Sequence, residues 1–569
     1  MIRLTFDFNG QHIHFSDPLK IVEAYQQDQV IDCFHQLQQA VDDGFYIAGY
    51  VSYEAAPAFL NYLSTHQPSE MPLVWFGIFE KPSEIPSQQD QCTKVIPNWQ
   101  IDASPLTYQQ SIQTIHNEIA QGNVYQVNYT VRLNATLTTE HSYAYYKQIC
   151  HAQQANYCAY LDTENFQLLS ASPELFFHWK DGVITTKPMK GTIARGKTLA
   201  EDKQQAHTLA TSAKDQAENL MIVDLLRNDI SKIALFNTVK VPKLFTIEKY
   251  PTVLQMTSTI TAETKPSISL LDVFKALFPC GSITGAPKAS AMQVITRLET
   301  TPREAYCGAI GFVTPQHEAI FNVAIRTITV NKATQQACYG VGGGITWNST
   351  VGGEYQEVLA KTKVLSMSHL PDQLLESLVL INGKYFLQTF HLQRLQNSAR
   401  YFNFVFSYKR LKHCLNTLAT LHPLGTYKVR LLLNKKGELD YEAMPIELND
   451  QPLQASWYEH AVNSSTILLY HKTTRREFYP ALTQPNHDYL MTNELGQVTE
   501  FVNGNLVILN KGQWLTPPIS SGLLPGTFRE YLLKGGFIHE QVLYKEDVLN
   551  AEQVLFINSV RGAKPVILN

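Results

Sequence analysis

Alternation of apolar and polar positions opens the chain. Residues 1–15, MIRLTFDFNGQHIHF, switch sides every second position around Asn9-Gly10, which predicts a β-hairpin with its turn at that dipeptide. Two continuous apolar runs follow, IAGYVSY at 47–53 and LVWFGIF at 73–79, and both read as buried strands. Residues 83–102 are polar and carry Pro86 and Pro97, so they read as a loop. A period near 3.6 then sets in after Pro105 and runs to Gly122, which predicts a helix with a glycine stop. Further strands are expected at 158–161, 168–170 and 321–330, separated by helices. The helical run VLAKTKVLSM (358–367) leads into SMSHLPD (366–372), after which LLESLVLINGKYFL (374–387) reads as strand, Asn382-Gly383 turn and strand. These patterns predict an α+β chain with extended antiparallel sheets, divided into units of about 1–367 and 372–569.

Composition changes this picture little. The 569 residues are 44% hydrophobic and 17% charged, an ordinary globular balance that excludes disorder, collagen and coiled coil for the bulk of the chain. Lys+Arg 46 minus Asp+Glu 50 gives −4, so no basic field points to nucleic acid. No apolar run reaches membrane-spanning length. The eight cysteines form no CxxC pair and no disulfide framework. A reduced, cytoplasmic enzyme is the expectation.

Carboxylates and glycines carry the candidate chemistry of the first unit. Glu354 and Glu357 lie three apart in GEYQEVLAKTKV, and Asp215 and Glu218 repeat that spacing in KDQAENLMIVDLLRND. On helices each pair shares a face. Two such faces meeting would repel unless a cation lay between them, and oxygen-only ligands suit Mg²⁺. Helical acids three apart are common and most are solvated, so spacing alone favours a solvated face by a wide margin. Gly342-Gly343-Gly344 follows an alternating strand, GSITGAPK (281–288) reads as a loop opening a helix, and Gly191 follows Lys190. Each could present N–H groups to an anion or be a tight turn. The spacing in 281–288 is not that of a P-loop.

Taken in order, GNVYQVNYT (122–130), SPELFF (172–177), KPMKGT (187–192), ENLMIVDLLRND (218–229), PCGSITGAPK (279–288), AIRTI (324–328), GVGGGI (340–345) and EYQE (354–357) resemble the chorismate-utilising enzymes over most of residues 1–367. The resemblance implies a large two-lobed domain that binds chorismate with Mg²⁺. Glu218 and Glu357 would be the leading metal ligands, with Glu354 and Asp215 nearby. Arg326, Gly343 and Gly344 would hold the enolpyruvyl carboxylate, with Thr192 and Thr284 among the substrate-binding residues. Glu174 would be general acid and Lys190 the nucleophile. Lysine before Gly-Thr resembles aminodeoxychorismate synthases, whereas anthranilate synthases usually carry alanine there. Gln126 stands where isochorismate and salicylate synthases have the lysine that activates water. Family members commonly have a histidine near 255–259, and here Gln255 takes that place. A glutaminase nucleophile segment is not visible, so the resemblance implies a separate glutamine amidotransferase subunit that supplies ammonia.

In the second unit Lys472 ends the apolar run STILLYHK, read as a strand. Glu500 follows the hairpin-like NELGQVTE, Arg394 lies on an early helix, and SSGLLPGTFRE (520–530) places Pro-Gly before a helix. With NSVRG (558–562), these segments resemble the fold-type IV aminotransferases, and among them aminodeoxychorismate lyase, over nearly all of 372–569. The resemblance implies a second two-lobed domain binding pyridoxal 5′-phosphate. Lys472 would be the Schiff-base lysine and proton-transfer base, and Glu500 the partner of the pyridine nitrogen. Arg394, the N–H groups of Thr527 and Phe528, and Ser559 would bind the phosphate. Arg430 in KVRLLL is a candidate for a substrate carboxylate. The implied function is formation of 4-amino-4-deoxychorismate and its conversion to 4-aminobenzoate for folate biosynthesis. An anthranilate-forming first unit, a branched-chain or D-amino-acid aminotransferase, and a non-catalytic second domain are the alternatives.

Overall fold

The computed structural model describes residues 2–84, 95–365, 370–449, 451–482 and 486–569. Parts of the expected loop 83–102 and of the expected boundary 366–372 lie outside them. The chain forms two compact units, Met1–Ala194 with Ala206–Ser368, and Arg195–Gln205 with His369–Asn569. No helix among the described residues is long and apolar enough to cross a membrane.

The first unit is built on two antiparallel sheets, one of nine strands and one of ten. Their inner faces meet in one aromatic-rich layer. Phe6, Phe15, Leu161 and Leu168 come from the first sheet, and Tyr50, Trp75, Ile310 and Phe312 from the second. Helices cover both outer faces. Gln27–Asp42, Ala213–Ser231 and Leu270–Leu277 pack on the ten-stranded sheet. Pro105–Ala120, Thr139–Gln153, Lys288–Leu298 and Val351–Thr362 cover the nine-stranded one. Strands buried on both faces need no polar alternation. Val74–Phe79 and Phe166–Ser172 are accordingly buried at every position, as their apolar runs require. The Asn9-Gly10 hairpin forms between Arg3–Phe8 and Gln11–Ser16, and the helix expected after Pro105 runs Pro105–Ala120.

One expected strand is interrupted. Residues 321–330 form two strands, Ala319–Val323 in the ten-stranded sheet and Thr327–Asn331 in the nine-stranded one. The chain changes sheet between them, at Ala324–Arg326, and Arg326 takes φ 53° to do so. An arginine in that region of the backbone is strained. A second crossover, at Pro173-Glu174, joins Phe166–Ser172 to Leu175–Lys180. The two crossovers are tied together. Val323 N–H donates to the Glu174 carbonyl at 3.1 Å, and Ala171 N–H to the Arg326 carbonyl at 3.0 Å.

The second unit has two lobes. A four-stranded sheet, with Gln373–Ile381 and Thr426–Asn434 at its centre, packs on the helices Gln388–Phe402 and Tyr408–Leu421. A mixed eight-stranded sheet makes the other lobe. Arg195 pairs with Asp202 in this unit and donates to the Tyr401 carbonyl at 2.9 Å, while the Tyr401 hydroxyl donates to the Gly196 carbonyl at 2.7 Å. STILLYHK is not a strand. Ile467–Tyr470 is a single 3₁₀ turn, and Lys472 follows it, held by Leu375 N–H donating to its carbonyl at 2.9 Å. Periodicity cannot separate a short buried strand from a buried helical turn.

Candidate active sites

A cavity of 340 Å³ lies in the first unit at the two sheet crossovers. Glu174 and Arg326 line it from those crossovers. Lys190, Gly191 and Thr192 come from Met189–Ala194, and Asp215 and Glu218 from Ala213–Ser231. Gly340–Gly342 and Gly344 come from Gln336–Ile345, and Glu354, Glu357 and Lys361 from Val351–Thr362. Both expected acid pairs therefore sit on helices and face one space. Their helices are started by Ser212 and Thr350, whose hydroxyls accept from Asp215 N–H (3.3 Å) and Gly353 N–H (3.2 Å).

Lys190 sits where Met189–Ala194 slips register against Val253–Glu263, a bulge that re-aims a side chain. The Asn219 amide donates to the Lys190 carbonyl at 3.1 Å and accepts from Ser258 Oγ at 2.6 Å, which fixes the bulge. Gly191 has φ 91°, and a Cβ there would lie 3.0 Å from Asp215 Cβ. Burial lowers the Lys190 pKa, and Lys361 adds to the effect, against the opposing pull of Glu218, Glu357 and Glu174. A Cβ on Gly344 would collide with Gln126 Nε2 and Lys190 Nζ. That glycine leaves the space the lysine occupies. Gln126 is buried, and its Oε1 has no hydrogen-bond partner among the described residues.

Glu174 is buried and accepts from Ser282 Oγ at 2.6 Å. Burial raises its pKa to about 7, against the Ser282 hydrogen bond and Lys190. The folded protein therefore holds a proton that the unfolded chain loses near pH 4.5, and this carboxyl costs the fold stability as pH rises from about 4.5 through 7. Glu174→Gln keeps the acceptor for Ser282 but removes that cost. The variant should gain about 3 kcal/mol relative to the parent between pH 4.5 and pH 8. Thermal unfolding checks this: the Tm difference should move in favour of the variant as pH rises, and a constant difference would refute it.

The acids differ in environment. Burial raises Glu218 and Glu354, whereas Lys361 holds Glu357 down through a 2.6 Å ion pair. Lys361 also donates to the Gly342 carbonyl at 2.7 Å, and Arg326 donates to the Lys361 carbonyl at 2.5 Å. Gln336–Ile345 pairs with Thr327–Asn331 only as far as Tyr339, so among the described residues one edge of Gly340–Gly344 has no strand partner there. The donor set, oxygen-only with two carboxyls of raised proton affinity, fits a hydrated Mg²⁺. Among the described residues no group of three His, Cys, Asp or Glu side chains is arranged to hold a metal ion.

Three expected residues are placed differently from the rest. Thr284 is fully buried and outside the lining, its hydroxyl donating to the carbonyls of Cys280 and Gly281. Gly343 turns its Cα toward Glu354, where a Cβ would lie 3.1 Å from Oε2. Thr192 does line the cavity but donates to Gln255 Oε1 at 3.0 Å. Gln255 thus occupies the expected histidine position as a hydrogen-bond acceptor. Sequence reasoning missed Ser282 and Lys361. The i,i+4 spacing of Glu357 and Lys361 was the available signal.

The second unit holds a cavity of 550 Å³ between its lobes. Lys472 and Glu500 both line it, with Arg394, Gly526, Thr527, Phe528 and Ser559. Burial, with Arg394 and Arg476 nearby, lowers Lys472 to about 7. Glu500 is buried, and burial raises it to about 7 although three donors hold it: the Tyr479 hydroxyl (2.8 Å), Leu524 N–H (3.1 Å) and the Asn505 amide (3.1 Å). The helix Thr527–Lys534 starts at Gly526 with no side-chain cap, so its first N–H groups are open to an anion. A Cβ on Gly526 would collide with Asn505 Oδ1. Arg394 is committed in part to Glu376, by bonds of 2.9 and 2.7 Å, and to the Pro525 carbonyl at 3.2 Å. Burial would raise Glu376, yet Arg394 and His391 hold it at about 2. A part-buried lysine of low pKa, a fixed carboxylate and an uncapped helix start are the groups that pyridoxal phosphate requires, and the fit is good. Arg430 is not in the lining and pairs with Glu442 at 3.5 Å.

Comparison with known proteins adds the following. Residues 3–367 match the chorismate binding enzyme family, and residues 373–568 match amino-transferase class IV. Aminodeoxychorismate synthase component 1 of Salmonella typhimurium is 41% identical over 264 residues, 46% of this chain and 57% of the relative. That of Bacillus subtilis is 37% identical over 262 residues, 46% of this chain and 55% of the relative. The chain thus spans less than two thirds of the length of these relatives. The crystal structure of anthranilate synthase component I from Streptococcus pneumoniae superposes with a TM-score of 0.53 at 24% identity, over 64% of this chain and 89% of that one.

Proposed function

The chain belongs to the chorismate binding enzyme family, and on that premise we propose that it carries two consecutive enzymes. The first unit converts chorismate and ammonia to 4-amino-4-deoxychorismate and water. The second splits that product into 4-aminobenzoate and pyruvate. The observation that carries this reading is a pair of cavity-lining lysines in one chain: Lys190 shares a cavity with Glu174 and Arg326, and Lys472 shares the other with Glu500. The product of the first chemistry is an amine, which is what a lysine and a pyridoxal phosphate cradle are built to receive.

In the first cavity Arg326 and the open edge of Gly340–Gly344 bind the enolpyruvyl carboxylate, Arg326 through its planar fork. Glu174, protonated in about half of the molecules at neutral pH, gives its proton to the ring hydroxyl as that group leaves as water. Neutral Lys190 forms a C–N bond to the ring as the C–O bond breaks. Ammonia then forms its own C–N bond, and the lysine departs as the free amine. Gln126, buried beside Lys190 and lacking an ionisable group, cannot activate water, which favours ammonia as the final nucleophile. Mg²⁺ supplies charge neutralisation for the ring carboxylate, and Glu218, Glu354, Glu357 and Asp215 would hold it. Ammonia is proposed to come from a separate glutamine amidotransferase subunit, in the cytoplasm.

In the second cavity pyridoxal phosphate supplies an electron sink. Glu500 would keep its pyridine nitrogen protonated, and the N–H groups of Thr527 and Phe528 with Ser559 and Arg394 would hold its phosphate. Lys472 takes the ring proton of the substrate, after which the enolpyruvyl group leaves and the six-membered ring becomes aromatic. Supplying 4-amino-4-deoxychorismate with branched-chain or D-amino acids and 2-oxoglutarate separates this reading from its rival. Release of pyruvate and 4-aminobenzoate supports it, and fast transamination would overturn it.

A further inference from the structure

The second cavity carries more positive charge than a cofactor phosphate explains. Five cationic side chains line it, Arg394, Lys428, Lys472, Arg476 and Arg561, against two carboxylates, Glu447 and Glu500. Arg394 is engaged by Glu376 and lies near the helix start, and Lys472 faces the cofactor space. Three cations remain, Lys428, Arg476 and Arg561. Lys428 lies on the strand Thr426–Asn434, Arg476 just after Lys472, and Arg561 in the turn between Gln553–Asn558 and Gly562–Leu568. Lys428 is half-buried, and burial together with Arg561, Arg430 and Arg476 lowers its pKa, with Glu442 the opposing acid. Arg476 is steered by a cation–π contact over Tyr479 (4.5 Å) and by donating to the Val502 carbonyl at 2.6 Å. Tyr479 in turn donates to Glu500, so the arginine is fixed relative to the cofactor site.

Like charges gathered in a cavity cost free energy unless an anion joins them. We propose that Lys428, Arg476 and Arg561 form the carboxylate-binding wall of the second cavity and select a substrate bearing two carboxylates. This rests on the lyase reading, since 4-amino-4-deoxychorismate is such a compound. It moves substrate recognition away from Arg430, which pairs with Glu442 outside the lining. Amino-acid substrates with one carboxylate would leave part of the wall unpaired, which disfavours them.

The test uses the full chain loaded with pyridoxal phosphate. Lys428→Met and Arg561→Met should each raise KM for 4-amino-4-deoxychorismate about tenfold, with kcat and the visible absorbance of the bound cofactor little changed. Lys428→Arg should restore KM. Calorimetry gives a readout independent of turnover: isophthalate, an unreactive dicarboxylate, should bind the parent at least about tenfold tighter than benzoate, and both Met variants should lose that preference. Equal binding of isophthalate and benzoate by the parent, or unchanged KM in both variants, would overturn the proposal. Loss of the isophthalate preference in the variants supports the wall even if the parent makes no 4-aminobenzoate, an outcome that would instead refute the lyase reading.

Discussion

Replacing Lys190 by alanine is expected to cut conversion of chorismate by on the order of 10³-fold while leaving the second enzyme intact. The reason is positional as well as chemical. Lys190 is placed by a register slip in its strand, by Asn219 on its carbonyl, and by the absence of a side chain on Gly344. Burial keeps its amine readier to be neutral than a surface lysine, and each unit of pKa lowering gives tenfold more neutral amine at fixed pH. Alanine removes the nucleophile but no backbone support, so the fold should persist. Chorismate consumption with ammonia and Mg²⁺ measures the first activity, and 4-aminobenzoate formed from supplied 4-amino-4-deoxychorismate measures the second. Unchanged chorismate turnover would show that ammonia attacks directly and that the lysine is a bystander.

Lys472→Ala should have the complementary result. Release of 4-aminobenzoate falls by on the order of 10³-fold, and 4-amino-4-deoxychorismate accumulates from chorismate. A side chain with pKa about 7 is neutral in about half of the molecules at neutral pH, and so can both take and return a proton. Its carbonyl is held by Leu375 N–H, so the backbone does not depend on the amine. Mass analysis of the accumulating compound, with the visible absorbance of the cofactor-loaded variant, checks both halves. Continued aromatic product would remove Lys472 from the proton transfer.

The parts legible in the sequence were those set by local rules. The Asn9-Gly10 hairpin, the helix after Pro105, the buried runs and the helical carboxylate pairs all follow from spacing and turn chemistry. Long-range arrangement decided what was not legible. Residues 321–330 are apolar enough for one strand, and only the crossover between two sheets explains why Arg326 breaks it. STILLYHK is apolar because a 3₁₀ turn is buried there. Thr284 lies beside site residues in sequence but turns its hydroxyl to its own turn. Ser282 and Lys361 matter through partners 108 and 4 residues away in sequence, and Lys428 and Arg476 through a cavity whose lining runs from Ser377 to Arg561. Polar side chains of that kind carry no periodic signal of their own.

We propose one chain that performs both reactions in sequence. This is tested most directly by supplying the full chain with chorismate, ammonia, Mg²⁺ and pyridoxal phosphate and identifying the products by mass over time. 4-Aminobenzoate and pyruvate are expected in equal amounts, with the aromatic product dependent on pyridoxal phosphate and 4-amino-4-deoxychorismate accumulating without it. Anthranilate as the aromatic product, or 4-amino-4-deoxychorismate that persists with the cofactor present, would contradict it.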